Sequence, residues 1–237
     1  GRDRGKGGGR KRKAGKVAYE KLGEVAKADR HGFGDVDTIK RKEPTLMTDK
    51  LLGAVVYPEY VTDDARLTLA NARSAKAAGA DILTYAPVTE ILVENGKACG
   101  AVLGDALGNG GARIRAKVIV NASGPWLDAL RRLEENAAPP MLQLTKGIHV
   151  VLKHERLPVS HTVIMQATDK RGIFVVPRGE FVYFGTTDTF YADPEYSPSI
   201  TREDIAYLID VGSKTFSQGP FTDDDIISVW SGVRPLR

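Results

Sequence analysis

A single cysteine, Cys99, stands in 237 residues, so no intrachain disulfide can form and a reducing compartment is expected. No run of 18 or more apolar residues occurs, which excludes a bilayer-spanning helix. The first residues are basic with no apolar core behind them, so no secretory pattern is present. The four histidines, His31, His149, His154 and His161, have no ligand spacing, and Cys99 stands apart from them, so no metal set is expected. A Ser-His-Asp hydrolase lacks its GxSxG elbow. The one glycine run that imitates a dinucleotide fingerprint, GKGGGR, lies in a basic stretch rather than between a strand and a helix, and does not count as one.

What is present is an ordinary globular composition, 42% hydrophobic and 27% charged, with a charge that is unevenly placed. Residues 1–16 hold eight Lys or Arg against one Asp, so the net +4 of the whole chain leaves −3 for residues 17–237. The basic pI therefore belongs to a Gly/Lys/Arg tail, which cannot bury enough surface to offset its ordering entropy and is expected to be disordered. Charge alone would let it touch RNA or anionic lipid; a specific nucleic-acid partner is not expected.

Residues 17–28 read as a short helix and residues 35–43 as another, stopped by Pro44. GAVVYPEYV reads as strand with an edge or bulge at Pro58. The clearest helix follows: Thr62 and Asp63 offer caps, Ala65, Leu69, Ala72 and Ala75 recur at helical spacing, and Gly79 sits where a C-cap glycine belongs. DILTYAP reads as strand and turn, Asn95-Gly96 as the tip of a hairpin, and RIRAKVIVNASG as a third strand ending on a buried run. From about Met141 the pattern changes to strands LTKGIHVVL, TVIMQ, GIFVVP and FVYFGTT, with one helix opening at the capping pair Thr201 and Asp204. The expected fold is α/β followed by α+β with an antiparallel sheet.

Five clusters carry chemistry. In NASGPW, Gly124 lets the backbone approach a ligand and Pro125 opens a helix whose N-terminus favours phosphate; an ordinary strand-to-helix turn reads the same way. In KGIH, His149 enters an apolar strand, and Lys146 reads equally as a surface charge. FGTTDT clusters hydroxyls and a carboxylate past a strand end, as a ligand floor or as an Asx or ST turn. In SGVRPL, Gly232 and Pro235 frame Arg234, which is suited to a bidentate phosphate or to a structural role. DKR, residues 169–171, is a charged turn.

Taken in order, TDDARLTLANA, GADILTYAPVTEI, VIVNASGPW, KGIHVVL, FVVP, GTTDT and SGVRPL resemble the respiratory FAD-dependent glycerol-3-phosphate dehydrogenases and the related glycerol-3-phosphate oxidases, over residues 17–237. The resemblance implies a flavoprotein fold with two dinucleotide-binding domains, in which residues 118–124 form the last parallel strand of a sheet, and an antiparallel-sheet substrate domain. On that basis residues 1–16 are a disordered tail, 17–140 a partial FAD-binding domain and 141–237 a substrate-binding domain. It implies hydride transfer from glycerol 3-phosphate to FAD, giving dihydroxyacetone phosphate, with electrons passed to quinone or to oxygen. Quinone linkage would imply a cytoplasmic protein held peripherally on the inner face of the membrane.

Carried over by motif, Arg234 is the substrate-phosphate clamp, Lys170 or Arg171 faces the substrate, and Thr187 and Asp188 shape the site. Val88 makes the backbone contact to adenine, Ala122, Ser123 and Gly124 form the cofactor-facing turn, and Trp126 packs beside it. The resemblance also implies an internal fragment: the family's strand, GxGxxG and helix have no counterpart here, and the family continues past Arg-Pro-Leu, so the chain by itself is expected not to hold FAD stably. An amino-acid-oxidase-like flavoenzyme is the neighbouring alternative, and a non-catalytic, basic-tailed binding fragment is the alternative of another class.

Overall fold

The computed structural model describes residues 22, 23, 26, 30–49 and 51–237. The basic tail and nearly all of the helix expected over residues 17–28 lie outside them. Strands are β1 (Gly32–Gly34), β2 (Ala54–Val56), β3 (Val88–Glu94), β4 (Lys97–Gly104), β5 (Gly111–Arg115), β6 (Gln143–Lys153), β7 (Val163–Gln166), β8 (Gly172–Arg178), β9 (Phe181–Gly185), β10 (Thr189–Tyr191) and β11 (Ile226–Leu236). Helices are α1 (Val36–Lys42), α2 (Asp64–Ala77), α3 (Leu127–Arg132) and α4 (Arg202–Thr215). The strands form a β1-β2 ribbon, a β3-β4-β5 meander and a six-stranded sheet ordered β10-β6-β9-β8-β7, with β11 also paired to β6.

By chain contacts there are two compact units: one takes in the described part of Gly1–Thr62 with Leu152–Tyr183 and Ile209–Ile226, the other Asp63–Val151, Phe184–Leu208 and Ile227–Arg237. In the first unit, Asp35 caps α1 by accepting from the Thr38 N–H at 2.8 Å, and α1 ends at Lys42, before Pro44, because the residue before a proline is driven out of helical backbone. The buried Glu43 carboxylate accepts from the backbone N–H groups of Ser160 and His161 at 2.9 and 3.0 Å. Arg156 donates to Asp225 at 2.6 Å and lies over the Phe221 ring.

In the second unit, α2 is built from local signals. Asp63, not Thr62, accepts from the Arg66 N–H at 3.1 Å, and Gly79 at φ +96° closes the other end, with Ala80 N–H reaching the Ala75 carbonyl at 3.0 Å, as a Schellman turn requires. Asn95 and Gly96 both take positive φ at the β3–β4 tip, the backbone a two-residue hairpin needs. Strand β6 is buried on both faces through its middle, with Ile148 and Val150 at 0% exposure; each such side chain contributes about 1.5–3 kcal/mol.

Three strand expectations are corrected. GAVVYPEYV is strand only over Ala54–Val56, since Pro58 cannot donate to a ladder. Residues 81–85 form no strand, and Tyr85 takes φ +56°. The meander's third strand stops at Arg115 and residues 118–120 form no strand; Val118 and Val120 are 75% and 81% exposed. A parallel strand is bonded along its edges and buried on both faces, and no strand flanks this run among the described residues. No helix there is long and apolar enough to cross a membrane.

Candidate active site

Arg234 lies within β11, inside a continuous strand rather than after one. Its guanidinium crosses β6 at Gly147, where any side chain would obstruct it: a Cβ there would meet Arg234 Cζ at 2.9 Å. Beyond Gly147 it reaches the segment after β9. Nη2 donates to Thr186 Oγ1 at 2.9 Å, Nη1 to Asp188 Oδ1 at 3.2 Å, and both point at the Thr187 carbonyl at 3.4 Å. Thr187 turns the other way, and its hydroxyl accepts from the Ile148 N–H at 3.0 Å. The structure thus brings Arg234, Thr187 and Asp188 together, as the motif reading expects, and adds Thr186 and Gly147. The Arg234 and Asp188 side chains are 39% and 48% exposed, so this cation is within reach of an incoming anion, while its orientation is set by the neutral Thr186 and Thr187 oxygens together with the Asp188 carboxylate.

His149 stands two residues along β6 from Gly147, on the same face by strand alternation. Its ring stacks on Trp230 with centroids 4.8 Å apart and planes at 15°. Gly185 makes room, since a Cβ there would meet His149 Cγ at 2.6 Å. Burial, with a smaller push from the Arg234 charge, lowers the His149 pKa to about 4. The imidazole is neutral at physiological pH, a hydrogen-bonding group rather than a second cation.

Lys146, read in sequence as a possible surface charge, is 5% exposed. It points to the opposite face of β6 and donates to Asp204 at 2.6 Å and to the Ser199 carbonyl at 2.9 Å. Asp204 also accepts from the Thr201 N–H at 3.0 Å, completing the expected cap at the start of α4. Burial opposes the Asp204 charge, but Lys146 and Thr201 outweigh it and hold the carboxyl below its ordinary value. One strand therefore offers two faces: a locked ion pair beneath and the Arg234 row above.

The expected cofactor-facing residues lie in the same unit. Asn121 braces the turn, its carbonyl accepting from Ser123 Oγ at 2.7 Å and its amide donating to Leu127 O at 3.0 Å. Gly124 takes φ +57° with no atom within 4 Å of its Cβ position, and Ala122 is exposed beside it. Trp126 packs on Tyr196 at 4.7 Å, in a three-residue 3-10 turn that leads into the short α3. Val88 opens β3 opposite Leu103. An open glycine backbone held by a side-chain brace suits a flat, backbone-approaching group, and these residues fit a flavin dinucleotide.

Lys170 and Arg171 sit in the other unit, at the β7–β8 turn. Lys170 takes φ +73°, and Arg171 donates to Asp169 at 2.7 Å. Trp230, Gly147 and Gly185 escaped the sequence reading as site residues. The available signal was KGxH beside FGTT: glycines alternating with a histidine and a threonine in strands otherwise rich in branched residues.

The family model for FAD dependent oxidoreductases matches residues 10–237. The chain is 39% identical over 218 residues to the aerobic glycerol-3-phosphate dehydrogenase of Bacillus subtilis, covering 92% of this chain and 39% of that protein. It is 38% identical over 204 residues to the alpha-glycerophosphate oxidase of Enterococcus casseliflavus, covering 84% of this chain and 34% of that protein. The crystal structure of the Bacillus halodurans glycerol-3-phosphate dehydrogenase complexed with FAD superimposes with a TM-score of 0.81 at 39% identity, over 86% of this chain and 41% of that one. The chain spans about two-fifths of the length of these relatives. With this match along nearly its whole length, and with the α/β and antiparallel-sheet fold of the flavoproteins, the chain belongs to the FAD dependent oxidoreductase family.

Proposed function

We propose that this chain carries the substrate-facing part of an FAD-dependent enzyme that oxidises glycerol 3-phosphate to dihydroxyacetone phosphate. The observation that carries the reading is Arg234, laid across Gly147 and oriented by Thr186, the Thr187 carbonyl and Asp188, with its side chain still 39% exposed. A guanidinium so held is prepared for a phosphate before the phosphate arrives, which keeps the ordering cost of binding low. Asp188 holds one edge of Arg234 and would yield it to the dianion. Lys170 and Arg171 remain basic candidates on the strength of the motif alone. Thr187 fixes the β6 backbone beneath the site.

Bound FAD supplies the hydride acceptor. Val88, Ala122, Ser123 and Gly124 would hold it through backbone, with Trp126 beside the turn. The neutral His149, stacked on Trp230, keeps a hydrogen-bonding ring next to the phosphate clamp without adding charge. Residues 17–140 then form the cofactor-facing part and 141–237 the substrate-facing part, with residues 1–16 outside both. Electrons leave to a quinone, which makes the protein peripheral at the inner membrane face; oxygen is the competing acceptor.

The test is anaerobic glycerol 3-phosphate added to the FAD-loaded protein, followed by visible absorption. Bleaching of the flavin band by glycerol 3-phosphate but not by glycine is expected. Arg234→Gln should raise the concentration required roughly 10- to 150-fold, the worth of a charge-assisted pair at about 1.5–3 kcal/mol. Bleaching by glycine and not by glycerol 3-phosphate would overturn the substrate assignment. Hydrogen peroxide formed stoichiometrically under air would make oxygen the acceptor in place of quinone.

A further inference from the structure

Thr145 is 2% exposed, and among the described residues its buried hydroxyl has no hydrogen-bond partner. A hydroxyl taken out of water without a partner costs stability, and the expected place for such a group is where a partner comes and goes. Its position in β6 identifies that partner. Residues 144–146 pair with β10 in regular register, Thr145 opposite Phe190 and Lys146 opposite Thr189, so side chains alternate without a bulge. Lys146 is committed to the Asp204 face. Thr145 therefore shares the other face with Gly147 and His149, the face that Arg234 crosses.

Resting on the reading of Arg234 as a phosphate clamp, we propose that Thr145 is a second binding group for the same phosphate, its hydroxyl donating to an oxygen that Arg234 does not hold. Residues two apart in a strand are separated by roughly 6.7 Å. The Thr145 side chain and the guanidinium that crosses Gly147 are thus neighbours on one face, placed to meet different oxygens of one phosphate. Phe190, the cross-strand neighbour of Thr145 on the same face, is 71% exposed and has room to turn aside. The site would then read a phosphate twice, by charge from β11 and by a neutral donor from β6. That pairing favours a tetrahedral oxyanion over a planar carboxylate.

The test compares Thr145→Val, which keeps the shape and removes the hydroxyl, with Thr145→Ser, which keeps the hydroxyl. Binding of glycerol 3-phosphate and of inorganic phosphate to the full chain is measured by calorimetry, with thermal melts alongside. Thr145→Val should weaken both ligands about tenfold, equivalent to about 1.4 kcal/mol, while its melting temperature holds or rises because the buried hydroxyl is gone. Thr145→Ser should stay within about threefold of the parent. If Arg234→Gln abolishes phosphate binding and Thr145→Val leaves it unchanged, the Thr145 assignment falls and the clamp stands. If the parent chain binds neither phosphate ligand, both the clamp and Thr145 are overturned.

Discussion

Strand β6 and helix α2 are opposite solutions to staying ordered. β6 is buried on both faces from Leu144 to Leu152, apart from the half-buried His149, and it carries an ion pair, a glycine crossed by an arginine and a histidine stacked on tryptophan. Helix α2 has no buried residue, yet it is the better defined of the two by local signals: an Asp cap, an alanine-rich body and a left-handed glycine. Capping and propensity suffice to write a helix into a sequence. They say nothing about what covers it. The functional geometry collects on the strand whose local signals are ambiguous and whose tertiary contacts are dense.

The largest effect that separates the two regions is expected at the buried pair. Lys146→Met leaves Asp204 buried without its cation, and a loss of about 3–5 kcal/mol in urea unfolding is expected. The double variant Lys146→Met with Asp204→Leu should recover much of it, because two apolar groups need no counter-charge. A loss under about 1 kcal/mol for the single variant would mean that β6 is no more constrained than α2.

Gly185→Ala tests the upper face. Its Cβ would occupy the place of the His149 ring, so overpacking of about 1–3 kcal/mol is expected, together with altered Trp230 fluorescence as the stack opens. Unchanged fluorescence would show that the glycine does not set the ring's position.

The His149 pKa, near 4 when folded against an ordinary 6.5, gives this face a pH signature. Between those values the unfolded chain binds a proton that the folded chain does not, so stability is full above about pH 6.5 and falls as pH drops toward 4. The lowered aspartates, Asp204 and Asp225, lose their contribution only below their ordinary value of 3.8, so the two windows separate. Urea midpoints at pH 7, 5 and 4 should show the first loss, and Gly185→Ala should flatten it by returning His149 toward water. A midpoint that is flat from pH 7 to 5 in the parent would contradict a buried neutral ring.

The smallest effects belong to α2. Asp63→Ala should cost about 1 kcal/mol as a lost cap, whereas Leu69→Lys on the exposed surface should stay within about 0.5 kcal/mol. A larger loss at Leu69, which is 59% exposed here, would show that this face is covered in solution and would narrow the contrast with β6.

Much of the local structure was legible from residues alone. The Thr201/Asp204 cap, the turn at Asn95-Gly96, the stop before Pro44 and the strands around KGIH and FVYFG all follow from turn chemistry and apolar patterning. The apolar run at residues 118–120 was not legible as it stands, because a hydrophobic triplet reads as buried strand whether or not strands lie beside it. Lys146 could not be placed either: alternation along β6 puts it opposite His149 but does not say which face meets Asp204, 58 residues later.

The sequence by itself determined the helices, the hairpin, the cluster of Thr187, Asp188 and Arg234 as candidates, and the family to which they belong. Tertiary structure alone decided that Arg234 lies across Gly147, that His149 is neutral against Trp230, and that Lys146 is spent on a buried pair. The division has one physical cause. Caps and turns act over three or four residues and leave their mark in order along the chain, while the contacts that make a site join strands 40 to 90 residues apart, such as Arg234 to Thr186 and Gly147 to Arg234.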